Sequence, residues 1–157
     1  DFGTKAWVQA SFPPHESFPI IKNVLHITHV RNTGAAFGIF PGQQAVFVVL
    51  SLLAIVFFTL FSFVRSHQSV HKLGFGLVVG GTTGNLIGRW QRGVVTDFID
   101  IQIWPIFNLA DVAIIVGAGL LIIEFVREDR RSRSDRARPM ASKSDTVGVD
   151  GRARDDR

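Results

Sequence analysis

Two acids stand where acids are scarce. Residues 1–126 hold only Asp1, Glu16, Asp97, Asp100, Asp111 and Glu124. Of these, Asp97 lies in "GVVTDFID" and Asp111 in the otherwise greasy "FNLADVAIIVGAGLL". A carboxylate in an apolar segment is costly unless it faces protein or water. Two carboxylates close together cannot both ionise easily, so one pKa rises and a single proton is shared. The ionised partner can take a proton from water while the protonated one polarises a peptide carbonyl. That is peptide hydrolysis with no covalent enzyme intermediate. Asn108 stands three residues before Asp111, on the same helical face, and can orient it. The alternative is that each Asp merely caps or hydrogen-bonds a helix end.

Other side chains offer less. There is no Cys, which excludes disulfides, thiol nucleophiles and thiolate metal sites. His15, His26, His29, His67 and His71 share neither a side nor a ligand spacing, and His26 and His29 point to opposite faces of a strand, so no metal site is expected. "GTTGN" lacks the Lys-Ser/Thr ending of a phosphate loop. Asp100 is expected to face water, and Glu124 to snorkel from an inner helix end.

The elements that must bring Asp97 and Asp111 together are hydrophobic. The chain has 157 residues, 46% of them hydrophobic, and a mean hydropathy of +0.26. Residues 44–64 are an unbroken apolar run of about the length that crosses a ~30 Å hydrocarbon core. Residues 73–90 form a second span, in which Gly76, Gly80, Gly84 and Gly88 recur every fourth residue and are read as one smooth face for a neighbouring helix. Residues 105–126 form a third span, with Pro105 in its first turn; Asp111 then sits ~9 Å along that helix, at ~1.5 Å per residue. "RSHQSVHK" and the Arg-rich tail fall on one side and are placed in the cytoplasm by the positive-inside rule. Segments 6–43 and 91–104 then face outward, and Trp7, Trp90 and Trp104 all fall at outer boundaries, where amphipathic rings prefer to sit. Three spans from residue 44 onward make Asp1–Trp7 the expected outer end of a preceding first span that is largely missing here. "VLHITHVR" alternates as a half-buried strand, and "FPPHESFP" before it reads as a Pro-rich loop. "FIDIQI" also alternates but is too short to separate strand from interfacial helix. Residues 127–157 carry ten of the 17 Lys and Arg with seven of the 13 acids, lack apolar periodicity, and are expected to be a disordered cytoplasmic tail that touches anionic lipid rather than nucleic acid.

Five boxes along residues 1–126 resemble, in order, those of the lipoprotein signal peptidases (type II signal peptidases), intramembrane aspartyl proteases of bacteria. They are "DFGTK", "RNTGAAFGIF", "GTTGNLIGR", "GVVTDFID" and "FNLAD". The resemblance implies that Asp97 and Asp111 are the catalytic pair, that Asn85, Arg89 and Asn108 support it, and that Asp1, Lys5, Asn32 and Gly34 line the site or hold substrate. It implies a small extracytoplasmic β-sheet that includes "VLHITHVR". The substrate would be a prolipoprotein carrying diacylglyceryl on its lipobox Cys, cut on the amino side of that Cys. Globomycin-type cyclic peptides would inhibit, and no cofactor would be needed.

The expected fold is therefore a mainly α, integral membrane bundle of four spans with a small extracytoplasmic sheet. It is expected as a monomer in the bacterial cytoplasmic (inner) membrane, its site toward the outer face, amid membrane lipids. One departure stands out: Gly88 occupies the place where the family usually has Asp beside its Arg, which leaves Arg89 short of a partner unless Asp100 substitutes. The rival readings are a catalytically impaired relative that binds lipidated signal helices without cutting them, and a small proton-coupled transporter in which Asp97 and Asp111 relay protons.

Overall fold

The structure, a computed structural model, describes residues 1–34, 42–65 and 69–137. Part of the "RNTGAAFGIF" box (35–40), residues 66–68 with His67, and the tail from 138 onward lie outside the described residues. The elements are α1 (Phe2–Ser11), β1 (Ser17–Ile21), β2 (Leu25–Asn32), α2 (Gln44–Arg65), α3 (Ser69–Arg92), β3 (Val95–Asp100) and α4 (Leu109–Ala137). Residues Asp1–Glu124 form one compact unit and Phe125–Arg157 another.

Asp1 is the N-cap residue of α1, and the helix buries Lys5 and Val8, three residues apart on one face. The strands form one antiparallel sheet in the order β1-β2-β3. β1 occupies part of the segment read as a Pro-rich loop. As an edge strand it tolerates Pro19, whose missing N–H leaves no ladder bond unmade in the sheet interior. Asn23 adopts the left-handed region (φ 61°) that the tight β1–β2 turn needs, and Val24 N–H donates to the Ile21 carbonyl. "FIDIQI" resolves as strand through Asp100. β3 pairs with β2 so that Val30 faces Asp97, and a bulge between Ile27 and Val30 shifts the register. The bulge buries Thr28 and His29 together, where strict alternation would bury only one.

α2 matches the first apolar run, whereas α3 extends past both ends of the second. Among the described residues two helices are long and apolar enough to cross a membrane, Gln44–Val64 and Leu109–Ser134; α3 is more polar. The glycines in tightest contact with α4 are not the fourfold set, of which only Gly84 faces it, its Cβ position lying 2.7 Å from Asp1 Oδ2 and 3.5 Å from Ala110 Cβ. A Cβ on Gly74 would meet Leu121 at 2.9 Å, and one on Gly81 would meet the Ala110 carbonyl at 2.5 Å, while a Cβ on Gly117 of α4 would lie 2.7 Å from the Gly74 carbonyl. Gly76 and Gly80 face open space. A four-residue repeat drifts round a helix of ~3.6 residues per turn, whereas a seven-residue one nearly returns to its face. Gly74 and Gly81 have the latter spacing.

The third helix also begins later than Pro105. Phe107 pairs with Ile99 as an extension of the sheet, so residues 105–107 are held extended and α4 starts at Leu109. At its other end α4 continues to Ala137, past the 126 boundary expected for the tail. The stretch after Phe125 has no Gly or Pro to stop it, and Arg133 pairs with Asp129 one turn back at 3.0 Å. Glu124 is buried rather than snorkelling to a surface.

Candidate active site

Asn108 organises the start of α4. Its side-chain oxygen accepts from the N–H groups of Ala110 (2.9 Å) and Asp111 (3.1 Å), and its own backbone N–H donates to Asp111 Oδ2 (3.1 Å). This is a reciprocal capping box, in which residues three apart satisfy orphan donors at a helix start. Asp111 thus lies in the first turn of α4, not ~9 Å down it, and Asn108 reaches it as the cap rather than along a helix face. The side-chain nitrogen of Asn108 is then turned outward, and it donates to Asp97 Oδ1 at 2.6 Å. One residue therefore holds both carboxylates.

Each carboxylate has a second amide. Asn32 Nδ2 donates to Asp97 Oδ2 at 2.9 Å, and Asn32 Oδ1 is occupied by the Gly34 N–H at 2.8 Å. Asn85 Nδ2 donates to Asp111 Oδ1 at 2.7 Å, and Asn85 Oδ1 accepts from Lys5 Nζ at 2.8 Å. Lys5 in turn pairs with Asp1 at 2.7 Å, and Asp1 Oδ1 accepts the Ala110 N–H at 3.0 Å. Arg89 donates to the Gly34 carbonyl at 3.2 Å and lies 5.4 Å from the centre of the Phe47 ring. Asp97 is 3% exposed. Burial pushes its carboxyl up to about 6, against the opposing pull of the hydrogen bonds from Asn32 and Asn108.

A cavity of about 470 Å³ opens on this cluster, with Asn32, Asn85, Arg89, Asp97 and Asp111 on its polar side. Its apolar wall comes from Val95, Ile101, Trp104, Ile106, Phe107, Ile114 and Ile115. Its one phenylalanine, Phe107, belongs to the β3–α4 connection, which supplies most of the wall. Asp1, Lys5, Gly34 and Asn108 stand behind the polar side and hold it.

Asp100 does not take up Arg89. It accepts from Thr28 Oγ1 (2.9 Å) and from the Gln102 N–H (2.9 Å), which locks the sheet and the turn after it. Gly88 leaves no room to spare, since a Cβ there would meet the Val94 carbonyl at 3.0 Å. Two of the histidines are ties within the fold. His29, 1% exposed, reaches the Phe12 carbonyl at 2.7 Å through Nδ1, and His26 contacts Ser17 at 3.1 Å. Phe47 as the aromatic partner of Arg89, and the Gln9–Thr96 hydrogen bond that joins α1 to β3 beside Asp97, have no sequence signal, because each depends on helix placement.

Residues 1–127 match the family model described as signal peptidase (SPase) II. The chain belongs to the signal peptidase II family. The lipoprotein signal peptidase of Syntrophomonas wolfei is 44% identical over 128 residues, which span 82% of this chain and 86% of the relative. That of Halothermothrix orenii is 41% identical over 126 residues, 80% of this chain and 87% of the relative. Among solved structures, a bacterial membrane enzyme determined by the in meso method at 2.3 Å resolution superposes with a TM-score of 0.77 at 32% identity, covering 82% of each chain. A second, at 1.9 Å resolution, gives 0.71 at 33% identity, covering 80% of this chain and 84% of its own. The part of the chain shared with the signal peptidase II family is the part that carries the site, and the residues from 128 onward lie outside the family match.

Proposed function

We propose that the protein is an aspartic endopeptidase of the bacterial inner membrane that removes signal peptides from diacylglyceryl-modified prolipoproteins. Asp97 and Asp111 are its reacting pair, and the cut falls on the amino side of the lipidated Cys. The observation that carries this reading is a pair of carboxylates hydrogen-bonded to one residue, Asn108, on the floor of an apolar-walled cavity. A dyad that shares one proton activates water and polarises the scissile carbonyl in a single step.

The substrate's chemistry fits the walls. A signal helix that ends in a diacylglyceryl group presents hydrocarbon on both sides of its scissile bond. The apolar wall between Ile101 and Ile115 receives that hydrocarbon, while Asn32, Asn85 and Arg89 offer donors to a peptide backbone. Four spans, a sheet on the outer face and a monomeric state belong to the same proposal, as do contact with membrane lipids and inhibition by globomycin-type peptides. Family membership weighs against the transporter reading, and the binding-only reading is an outcome of the test.

The test is complementation in cells that lack their own type II signal peptidase. Full-length protein is expected to clear accumulated prolipoprotein. Asp97→Asn and Asp111→Asn are expected to leave it uncut, each losing on the order of a thousandfold in turnover. Normal processing by either variant overturns the dyad. Failure of the unaltered protein, with substrate still captured, favours the binding-only relative.

A further inference from the structure

Resting on the dyad reading, we infer that Lys5 is a positioning residue that breaks the symmetry of the pair: it keeps Asp111 ionised as the acceptor of water's proton and leaves the shared proton on Asp97. The two carboxylates look alike at first, since each accepts from a side-chain amide held in one orientation. What stands behind those amides differs.

On the Asp97 side the described partners of the amide oxygens are backbone N–H groups. Asn32 Oδ1 is tied to the Gly34 N–H, and Asn108 Oδ1 to the N–H groups of Ala110 and Asp111. On the Asp111 side, Asn85 Oδ1 is tied to the Lys5 ammonium. An amide whose oxygen holds an ammonium cannot flip, so Asp111 Oδ1 meets an N–H and never a C=O. Asn32 and Asn108 are fixed in the same sense, so the difference lies in the ammonium: the Lys5 charge polarises the Asn85 N–H that Asp111 Oδ1 accepts, which favours the ionised carboxylate.

Charge adds to geometry. The charged groups around the pair are Asp1 and Lys5 from α1 and its cap, and Arg89 from α3. Lys5 Nζ reaches Asp111 through a single amide, at 2.8 Å to Asn85 Oδ1 and 2.7 Å from Asn85 Nδ2 to Asp111 Oδ1. Asp1 offsets part of the Lys5 charge, but its Oδ1 is held by the Ala110 N–H, which pins the ion pair to the first turn of α4. Asp111 also sits in that first turn, where the helix N-terminus favours a negative charge. Asp97, on β3 and 3% exposed, has no such end effect, and burial holds its carboxyl up to about 6.

Water attacks the scissile carbonyl carbon; one water proton goes to Asp111, and the Asp97 proton goes to the carbonyl oxygen, giving a gem-diol. As the C–N bond breaks, Asp111 returns its proton to the leaving nitrogen and a gem-diol hydroxyl returns one to Asp97. The pair ends as it began.

Two measurements test this. The first is the infrared stretch of a protonated carboxyl in the full-length protein at about pH 5, below the value that burial gives Asp97. The band should vanish in Asp97→Asn and persist in Asp111→Asn; the reverse pattern overturns the assignment. The second is the pH profile of kcat/KM on a diacylglyceryl prolipopeptide for unaltered protein, Lys5→Met and Lys5→Arg. Activity requires Asp111 ionised and Asp97 protonated, so it rises through the Asp111 limb and falls through the Asp97 limb, near 6 in the free protein. Lys5→Met should lower kcat/KM about tenfold on the acid limb and less on the alkaline limb. Lys5→Arg should restore the acid limb. A uniform drop with both limbs unmoved shows that Lys5 is only structural, and a larger shift of the alkaline limb shows that it acts on Asp97; either result overturns the assignment. If Asp97→Asn and Asp111→Asn still cut, the dyad reading itself fails, which is a separate result.

Discussion

The helix α2 and the polar cluster at Asn108 invert each other. Over the Gln44–Val64 span none of the most apolar window is buried, and Leu53, Leu60 and Phe63 stand 61%, 62% and 81% exposed. In the same chain Lys5, His29, Thr96, Asp97 and Asn108 are buried. In water this arrangement would be unstable on both counts, because exposed apolar area and buried charge each cost free energy. It is stable where the surrounding solvent is hydrocarbon and the buried carboxylates have their partners. The hydrogen bonds around Asp97 and Asp111 supply those partners, and α2 supplies an apolar surface for such a solvent. The polar cluster therefore depends on geometry, and α2 depends on composition alone. Substitutions should hurt the first far more than the second.

The sharpest break is Asn108→Ala. It removes one of the two amide donors to Asp97 and the acceptor of two N–H groups at the start of α4. Turnover should fall on the order of a hundredfold, the typical loss when one preorganised donor is removed. Stability should fall by about 1–2 kcal/mol for the lost cap. Asn108→Asp separates the two effects: an Asp cap restores the helix start but sets a third carboxylate against Asp97, so unfolding temperature should recover while turnover does not. Detergent-solubilised protein, measured for prolipopeptide cleavage and for thermal unfolding, reads both. Turnover in Asn108→Ala within about threefold of the unaltered protein would mean that the amide does not organise the pair.

The same contrast governs how much of the molecule is legible in its amino-acid sequence. α2 is legible because a long apolar run leaves few alternatives, and Asp97 and Asp111 stand out because acids are scarce around them. "VLHITHVR" is legible from its alternation, although the bulge between Ile27 and Val30 is not. Asn108 is picked out by helical spacing, yet it acts as a cap. Asn-x-x-Asp before an apolar run is itself a capping signature, but Pro105, equally acceptable in a first turn, draws the expected helix start forward. Tertiary pairing of Phe107 with Ile99 decides between them. β1 is hidden because Pro19 argues against a strand unless the strand is known to be an edge. The true packing face of α3 is hidden because two glycine repeats overlap, and which one meets α4 is fixed by α4. Capping and contact carry the site, and both are decided by residues distant in sequence.

A smaller effect tests the boundary between the two regions. Gly81 packs against Ala110, two residues from Asn108, while Gly80, its neighbour in sequence, faces open space. Gly81→Ala puts a methyl 2.5 Å from the Ala110 carbonyl and 2.8 Å from Ile114. The backbone must shift, at a cost of about 1–3 kcal/mol, and the shift moves the Asn108 cap and lowers cleavage with it. Gly80→Ala should be neutral or stabilising by up to about 1 kcal/mol, since alanine loses less freedom on forming helix. Equal effects of the two on unfolding would show that α3 and α4 do not meet along the Gly74–Gly81 face.

The smallest effect should be Phe63→Ala on α2. Phe63 is 81% exposed and in lipid exchanges one hydrocarbon contact for another, so unfolding in bilayers or detergent should change by no more than about 0.5 kcal/mol. Phe75 makes the comparison. It is 4% exposed, and its ring lies 5.9 Å from Phe61, 6.4 Å from Phe58 and 6.5 Å from His71 between ring centres. Removing a buried Phe costs about 3–5 kcal/mol in a water-soluble core, as a transfer term plus a cavity term. In lipid the transfer term largely falls away, because the ring would sit in hydrocarbon in either state, and the packing term remains. Phe75→Ala should therefore fall between Phe63→Ala and the soluble-core figure, at about 1–3 kcal/mol. If Phe63→Ala costs as much as Phe75→Ala, the exposed face of α2 is covered by something other than lipid, and the inversion between the two regions is not what stabilises this protein.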